Sequence, residues 1–220
     1  MPLKIDFHVH TYYSYDSTIT PSELVAYAKK RGLNGVAITD HDQIHGALKI
    51  AKEYSTKSGL IIIPGIEVTS QNGHILAFNV QEPVPAGLSV EETLEIIHRQ
   101  GGIAVAAHPN ALYHGQLEKR MLPRFDAIEV INASTFPFRF TVCTNHKIAS
   151  RFRLAELAGT DAHYAPEIGY AYTILNAESS LDEIIEAIRK RETRVYGKPI
   201  PIRIRIEKEI VNLKVKINRL

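Results

Sequence analysis

Histidines and carboxylates recur at one kind of position in this sequence, at or just beyond the ends of short apolar runs. Neutral imidazole and carboxylate groups are ordinary ligands of divalent metal ions. Such residues therefore predict a metal site if the fold brings them together. The residues placed in this way are His8, His10, Asp40, His41, Glu67, His74, His108, Asp161 and His163.

The spacing within two short segments predicts that pairs of these side chains act together. Alternate residues of a β-strand point the same way, so His8 and His10 can bind one ion, and Asp161 and His163 repeat that spacing. A single histidine at a strand end is usually a polar side chain that meets water. Six histidines and three acids at one rim would repel one another or stay unsatisfied, whereas metal ions remove both difficulties. The set as a whole therefore favours a metal site.

Apolar runs and amphipathic stretches alternate along the chain, which is typical of a parallel sheet with crossover helices. Capping signals predict helix starts at Thr20, Ser89 and Ser180, and a further helix is expected over about residues 45–58. Roughly seven β/α repeats predict an α/β barrel or an open doubly wound sheet, whose strands end at one face. The apolar runs cover residues 3–9, 35–39, 60–68, 75–80, 102–107, 127–131, 157–159 and 172–175.

The C-terminal tail shows a different period. Isoleucines occupy alternate positions of residues 200–206, and apolar residues alternate again over 211–217. Because this period is typical of strands, we expect a C-terminal β-hairpin that covers the barrel, with a dimer edge as the less favoured alternative. The expected organisation is one domain, with the barrel in residues 1–197 and a strand extension in residues 198–220.

Composition narrows the class of protein. Lys and Arg number 26 against 24 Asp and Glu, so the net charge of +2 lacks a strongly basic nucleic-acid footprint. The single cysteine, Cys143, excludes an intramolecular disulfide and a thiolate-rich zinc site. Neither GxGxxG nor GxxxxGKS/T occurs, which disfavours dinucleotide and NTP binding. Because no apolar leader follows Met1 and no run approaches the roughly 20 residues of a membrane span, we expect a cytoplasmic protein without a membrane partner.

Seven segments, taken in order, resemble the motifs of the PHP (polymerase and histidinol phosphatase) family of metal-dependent phosphoesterases. The resemblance extends over about residues 3–175. It implies an α/β fold, a distorted (β/α)7 TIM-like barrel, with a di- or trinuclear metal centre at its C-terminal face. The segments are DFHVHT (6–11), SYDS (14–17), AITDHD (37–42), PGIEVT (64–69), HIL (74–76), AAHP (106–109) and GTDAH (159–163).

The resemblance also implies nine ligands for two or three divalent ions, for which zinc, manganese and iron are the candidates. One ion is assigned to His8, His10, Glu67 and Asp161, a second to Glu67, His74 and His108, and a third to Asp16, His41 and His163. The family often has Ser-Asp-Gly at the point where this chain has the segment SYDS, so a tyrosine precedes Asp16 here.

A site that holds two or three divalent ions side by side predicts a hydrolytic mechanism. Ions about 3.5–4 Å apart can share a hydroxide and bind the oxygens of a phosphoryl group. We therefore expect hydrolysis of a phosphomonoester or phosphodiester by a metal-bridging hydroxide, without a separate catalytic side chain. Asp40 and Asp42 flank His41, where they either orient that imidazole or cap the next helix, and the capping role is favoured.

The expected partner is a small phosphorylated substrate or a short nucleic acid. A basic and aromatic stretch lies between His108 and Asp161, where guanidinium groups could bind phosphate and aromatic rings could stack on a base. Within this stretch, Arg139 and Lys147 are the candidates for contact with the substrate phosphate. Monomer and homodimer both stay open.

Other functions remain as alternatives. A histidinol-phosphate phosphatase is one, although those relatives tend to be longer, and a polymerase-associated exonuclease is disfavoured because no polymerase is attached. A related barrel is the protein subunit of archaeal ribonuclease P, which binds RNA without hydrolysis; the complete ligand set and near-neutral charge disfavour this role. An amidohydrolase would use a bridging lysine, whose place Glu67 takes here.

Overall fold

The structure is a computed structural model that describes residues 2–111, 117 and 120–217. Strands and helices alternate through most of it, as the periodicity predicts. The strands are β1 (Leu3–Val9), β2 (Gly35–Ile38), β3 (Ile61–Ser70), β4 (Gly73–Phe78), β5 (Ile103–Ala106), β6 (Ala127–Asn132), β7 (Ala155–Gly159), β8 (Ala171–Leu175) and β9 (Thr193–Gly197). The helices are α1 (Pro21–Lys30), α2 (His45–Ser58), α3 (Val90–Arg99), α4 (Phe138–Phe152), α5 (Leu181–Arg189) and α6 (Ile202–Ile217), with short 3-10 turns at Leu122–Arg124 and Ala165–Glu167.

The nine strands form one sheet in the order β7-β6-β5-β4-β3-β2-β1-β8-β9, and this sheet curls into a nearly closed barrel. Strand β7 packs against β1 across the barrel, because Gly159 has no side chain: a Cβ atom there would overlap the Cβ of His8. On the other edge, a Cβ at Gly197 would lie 2.6 Å from Cγ2 of Ile131 in β6. The expected α/β barrel is therefore confirmed, and the open sheet is not formed.

Strand β4 departs from the parallel pattern, because it pairs antiparallel with both β3 and β5. A tight turn between Ser70 and Gly73 joins β3 directly to β4, with no crossover helix. As a result, the first residues of β4 lie at the face where the parallel strands end, and His74 pairs with Thr69 across the hairpin. This reversal is what brings a histidine at the start of a strand to the same rim as those at strand ends.

The predicted helix starts are confirmed at their caps. The side chains of Thr20 and Ser89 accept hydrogen bonds from the backbone of the glutamate three residues later, and that glutamate bonds back in both cases. Ser180 accepts from the backbone N–H of Glu183 in the same way. Phe7 and Phe78 meet edge to face inside the barrel, with ring centroids 5.6 Å apart. Among the helices described, none is both long and apolar enough to cross a membrane.

The expected C-terminal hairpin is wrong, because most of the tail forms the helix α6. Ile204, Lys208 and Val211 share its half-buried face at spacings of four and three residues, which is a helical repeat. An i,i+4 ion pair between Arg203 and Glu207, 2.8 Å long, adds support that a strand would not provide. The alternating isoleucines of residues 200–206 therefore predict the wrong structure for this segment, whereas the helical spacing from Ile204 to Val211 predicts the right one.

Candidate metal centre

The barrel brings all of the predicted ligands to one rim. They come from the end of β1 and the loop that follows it, the residues after β2, the β3–β4 hairpin, and the residues after β5 and β7. Three groups each place their nitrogen or oxygen atoms within 4.8 Å of one another. The groups are His8, His10, Glu67 and Asp161; His10, Asp16, His41 and His163; and His41, Glu67 and His74.

The first group is fully buried and converges on a small volume. The Nε2 atoms of His8 and His10 lie 3.1 Å apart, and each is 3.1 Å from Oε2 of Glu67. Oδ1 of Asp161 lies 3.4 Å from the first of these nitrogens and 3.3 Å from the second. Two imidazole nitrogens at that separation can share a single proton in a hydrogen bond, and without that proton both can direct lone pairs at a shared cation. The donor set therefore fits a divalent ion.

Glu67 lies between this group and two further histidines, His74 and His108. Its Oε1 atom is 2.9 Å from Nδ1 of His74 and 2.9 Å from Nε2 of His108, while its Oε2 atom faces the first group. A carboxylate whose two oxygens face different sets of histidines has the arrangement of a bridging ligand. The buried Nδ1 of His41 has no hydrogen-bond partner in the described part of the chain, and Oε2 of Glu67 is 3.5 Å away.

Asp16 lies close to His41 and His163 although a tyrosine precedes it. Its Oδ2 atom lies 3.1 Å from Nε2 of His163 and 3.4 Å from Nε2 of His41. The loop that carries it is fixed by Ser14, whose hydroxyl accepts from the backbone N–H of His41 and lies 3.2 Å from Nδ1 of His10. The unusual residue Tyr15 is 85 % exposed and stacks its ring on that of His41, with centroids 5.2 Å apart.

The charges of the cluster are strongly coupled. Burial opposes ionisation of Glu67, but the charge of His8 and hydrogen bonds from other imidazoles outweigh it and hold the pKa well below its ordinary value. Burial likewise lowers the pKa of His10, while hydrogen bonds to Asp161 and Glu67 raise it to about 9. The buried carboxylates thus favour positive charge between them, which in the bare chain can come only from protonated histidines.

Glu129 is the most important site residue that the sequence did not single out. It lies in β6, is buried, and accepts a hydrogen bond from the Nδ1–H of His8 at 3.0 Å. Its other oxygen accepts from the backbone N–H of His108 at 2.9 Å and from Nδ2 of Asn132 at 3.0 Å. A charged residue inside the apolar run 127–131 is the signal that could have identified it.

The aspartates beside His41 fix the loops of the site, and the favoured capping role is wrong. Helix α2 begins after Ile44, and neither aspartate caps it; Oε1 of Gln43 accepts the backbone N–H of Gly46 in the first turn at 3.0 Å. Asp40 accepts from the backbone N–H and the hydroxyl of Thr11 at 2.5 and 2.7 Å. Asp42 accepts from the same two groups of Thr69 at 2.7 and 2.9 Å. Each carboxylate therefore secures a residue that lies one or two positions from a cluster member.

Asp6 performs a similar structural role on the other side of His8. It is fully buried and accepts hydrogen bonds from the backbone N–H groups of Thr160 and Gly169 at 2.8 and 3.0 Å. Burial, partly offset by these bonds, raises its pKa to about 6. Asp161, which follows Thr160 in the chain, has a φ of 58° and donates its backbone N–H to the carbonyl oxygen of His8 at 2.7 Å. Backbone in this left-handed region is costly for a residue with a side chain and is held here by the surrounding bonds.

The two residues that the sequence predicts to contact phosphate do not lie at the pocket over the metal cluster. Arg139 and Lys147 are exposed on α4, and neither lines the pocket over the cluster. Instead, that pocket of about 380 Å³ is bounded by members of the cluster, by Tyr15 and Ser134, and by three residues of α6. The three residues are Lys208, Glu209 and Asn212.

A family model of the PHP domain matches residues 6–211, which is nearly the whole chain. The chain belongs to the PHP domain family. This match includes every member of the metal cluster and most of α6. The expected family membership is therefore confirmed.

Comparison with individual proteins places this PHP chain among relatives of varied length. It is 37 % identical over 142 residues to the uncharacterized protein MJ1587 of Methanocaldococcus jannaschii, covering 60 % of this chain and 82 % of that one. It is 29 % identical over 121 residues to a 5'-3' exoribonuclease of Haemophilus influenzae, covering 50 % of this chain and 43 % of the exoribonuclease. This PHP chain thus matches less than half of that enzyme.

A solved structure shares the fold. A two-domain protein of Bacteroides vulgatus, described as containing a predicted PHP-like metal-dependent phosphoesterase, superposes with a TM-score of 0.75 at 20 % identity. The match covers 90 % of this PHP chain and 65 % of that protein. At this level of identity the likeness concerns the barrel, and the chemistry has to be argued from the side chains of the site.

Proposed function

We propose that this chain is a metal-dependent hydrolase of phosphate esters, acting on a phosphomonoester or phosphodiester. The observation that carries the proposal is the convergence of six histidines and three carboxylates from separate elements on one buried rim. A cluster of this composition has little structural use of its own, because its buried charges would be costly to keep without cations. Family membership and the exoribonuclease relative support the same reaction class.

The charge of the loaded pocket favours an anionic substrate. Asp16, Glu67 and Asp161 bring three negative charges, whereas two or three divalent ions would bring four or six, which leaves about +1 to +3. When bound, such ions supply Lewis acidity, offset charge on a phosphoryl group and lower the pKa of water. Zinc, manganese and iron all suit a mixed imidazole and carboxylate set.

Other residues of the chain hold the predicted metal ligands in place before any ion binds. Glu129 accepts the Nδ1–H of His8, so the Nε2 atom of that imidazole faces the cluster and would offer its lone pair to a cation that displaces the proton there. Glu67 would bridge two ions through its separate oxygens, and Asp16 would complete a third position with His41 and His163. The site is thus organised by carboxylates that fix either the ligands or the loops that carry them.

A nucleotide or a short oligonucleotide is the substrate class we favour. The exoribonuclease relative supports it, and the exposed ring of Tyr15 lines the pocket, where a base could stack on it. The pocket over the cluster has a volume of about 380 Å³ and is bounded on one side by α6.

A metal-reconstitution screen tests the proposal. Chelated protein would be loaded with zinc, manganese or iron and assayed on phosphomonoesters, phosphodiesters and short oligonucleotides. We expect turnover that depends on metal and that His8→Ala and Asp161→Ala abolish together with metal content. The matched control is His146→Ala, since that imidazole is 44 % exposed on α4 and pairs with Glu156 at 2.8 Å, away from the pocket.

Two outcomes would contradict the proposal. Undiminished hydrolysis by a metal-free His8→Ala protein would exclude the cluster as the reaction centre. A chain that retains no metal, binds RNA tightly and hydrolyses none of the esters would favour the non-catalytic RNA-binding role.

A further inference from the structure

Helix α6 forms a wall of the pocket over the metal cluster. Its residues Lys208, Glu209 and Asn212 line that pocket together with cluster members. The helix is held at the rim by Arg205, whose guanidinium donates to the carbonyl oxygen of Ala133 at 3.1 Å, just beyond β6. The last described helix is therefore docked on the active-site face of the barrel.

An ion pair fixes Lys208 at this position. Its Nζ atom lies 3.0 Å from Oε1 of Glu167, a carboxylate with no exposed surface. The other oxygen of that carboxylate accepts the backbone N–H groups of His163 and Tyr164 at 2.9 and 3.1 Å. A buried carboxylate with this geometry holds the ammonium group in place, so little rotamer entropy remains to be lost when a ligand binds.

The ammonium group of Lys208 is still available to a ligand. An ammonium group has three donor hydrogens, and the ion pair with Glu167 can use at most one of them, since Oε1 of Glu167 accepts no hydrogen bond of good geometry in the described part of the chain. The side chain is 22 % exposed, so an anion in the pocket can reach it. Of the pocket-lining residues that the structure describes, Lys208 is the single lysine or arginine. Arginine and lysine are the usual partners of phosphate oxygens in proteins.

We propose that Lys208 binds the phosphate group of the substrate, so that α6 is the substrate-recognition element of the site. This inference rests on the proposed phosphoesterase function and adds the residue that recognises the phosphate. The ligand it predicts is a phosphate carried at the end of a small molecule or chain, since α6 bounds the pocket beside the cluster.

A different role for Lys208 has to be separated from this one. Because Glu167 holds the backbone of His163, loss of the lysine could act indirectly by leaving a buried carboxylate unpaired. The double variant E167Q/K208Q removes both charges and can keep the amide oxygen that accepts the two backbone N–H groups. The double variant therefore has no unpaired buried carboxylate at position 167, but it still lacks a cation at the pocket.

The experiment titrates inorganic phosphate into metal-loaded protein by calorimetry, with metal content and thermal stability measured on the same samples. The variants are K208Q, K208R and E167Q/K208Q. The control is R203Q, which removes a cation from the same helix at a position that is 87 % exposed and does not line the pocket. On the ester that the screen identifies, KM and kcat are measured for each variant.

We expect K208Q to weaken phosphate binding roughly 10- to 100-fold, as for loss of a charge-assisted hydrogen bond, with unchanged metal content. KM should rise more than kcat falls, because a binding contact is lost. K208R should stay within a few fold of the parent, R203Q should match it, and E167Q/K208Q should remain weak despite recovered stability.

Phosphate binding by K208Q at the parent level would overturn the assignment, and so would parent-like binding by E167Q/K208Q. A parent protein that hydrolyses esters but binds no phosphate would overturn it as well. In each of these cases parent turnover persists, so the proposed function stands. If the parent neither retains metal nor hydrolyses an ester, the proposed function fails, and the assignment of Lys208 fails with it.

Discussion

The substitution Glu129→Gln tests how the site fixes its histidines. The two side chains have nearly the same shape, but a glutamine offers one acceptor oxygen where the glutamate offers two. In the parent, Oε2 serves the backbone N–H of His108 and the side-chain amide of Asn132, and Oε1 serves His8. The glutamine oxygen satisfies more donors at the Oε2 position, so its NH2 group will face His8.

That arrangement has a defined chemical consequence. An NH2 group opposite Nδ1 of His8 needs an acceptor there, so the imidazole proton moves to Nε2. Protonated Nε2 cannot bind a cation, and in the parent this atom lies 3.1 Å from both Glu67 Oε2 and the Nε2 of His10. We expect metal affinity to fall about 10- to 100-fold, which corresponds to about 1.4–2.7 kcal/mol.

Metal affinity would be measured by competition with a chelator, and the tautomer of His8 by 15N chemical shifts of the imidazole nitrogens. The matched control is Glu156→Gln, since Glu156 in the adjacent strand also pairs with an imidazole, that of His146, but outside the pocket. The control should bind metal as the parent does. A Glu129→Gln protein with parent affinity, and with the proton still on Nδ1 of His8, would refute the reasoning.

Two further predictions separate the fold from the site. Gly159→Ala should lower the free energy of unfolding by about 1–3 kcal/mol and also reduce metal content, because the added Cβ overlaps that of His8. Equilibrium denaturation and metal analysis would check this prediction. Parent values for both quantities would contradict it. Ser89→Ala should lower the free energy of unfolding by about 1 kcal/mol through loss of the α3 cap, while metal content and turnover stay at parent levels. Denaturation with parallel activity assays would check this prediction. A loss of metal would show that the effect is not confined to the helix.

Most of the cluster could be predicted from the sequence because its members stand at the boundaries of elements. A change from apolar to polar at a strand end is visible in one dimension, and the barrel topology then makes all such ends meet. His74 was found in the same way, although it lies at the start of β4, since the hairpin reverses that strand. The reversal itself left no trace in the apolar pattern.

Other site residues depend on contacts that the sequence does not express. Glu129 lies within a strand, and only closure of the barrel shows that its side chain meets His8 rather than solvent. Lys208 is absent from the predicted site for a different reason: the period of two in the tail predicts a hairpin, which places no particular residue near the rim. The helical period puts that lysine on the same side as Ile204 and Val211, the side that faces the barrel.

The position of α6 has a consequence for how new specificity can arise in this protein. Every member of the cluster lies between residues 8 and 163, whereas the wall of the pocket made by α6 uses residues 208–212. The candidate metal centre and this wall of its pocket are thus encoded in separate parts of the gene. If the proposed function holds, substitutions within five residues of one helix can change which molecules the pocket admits and leave every predicted metal ligand in place.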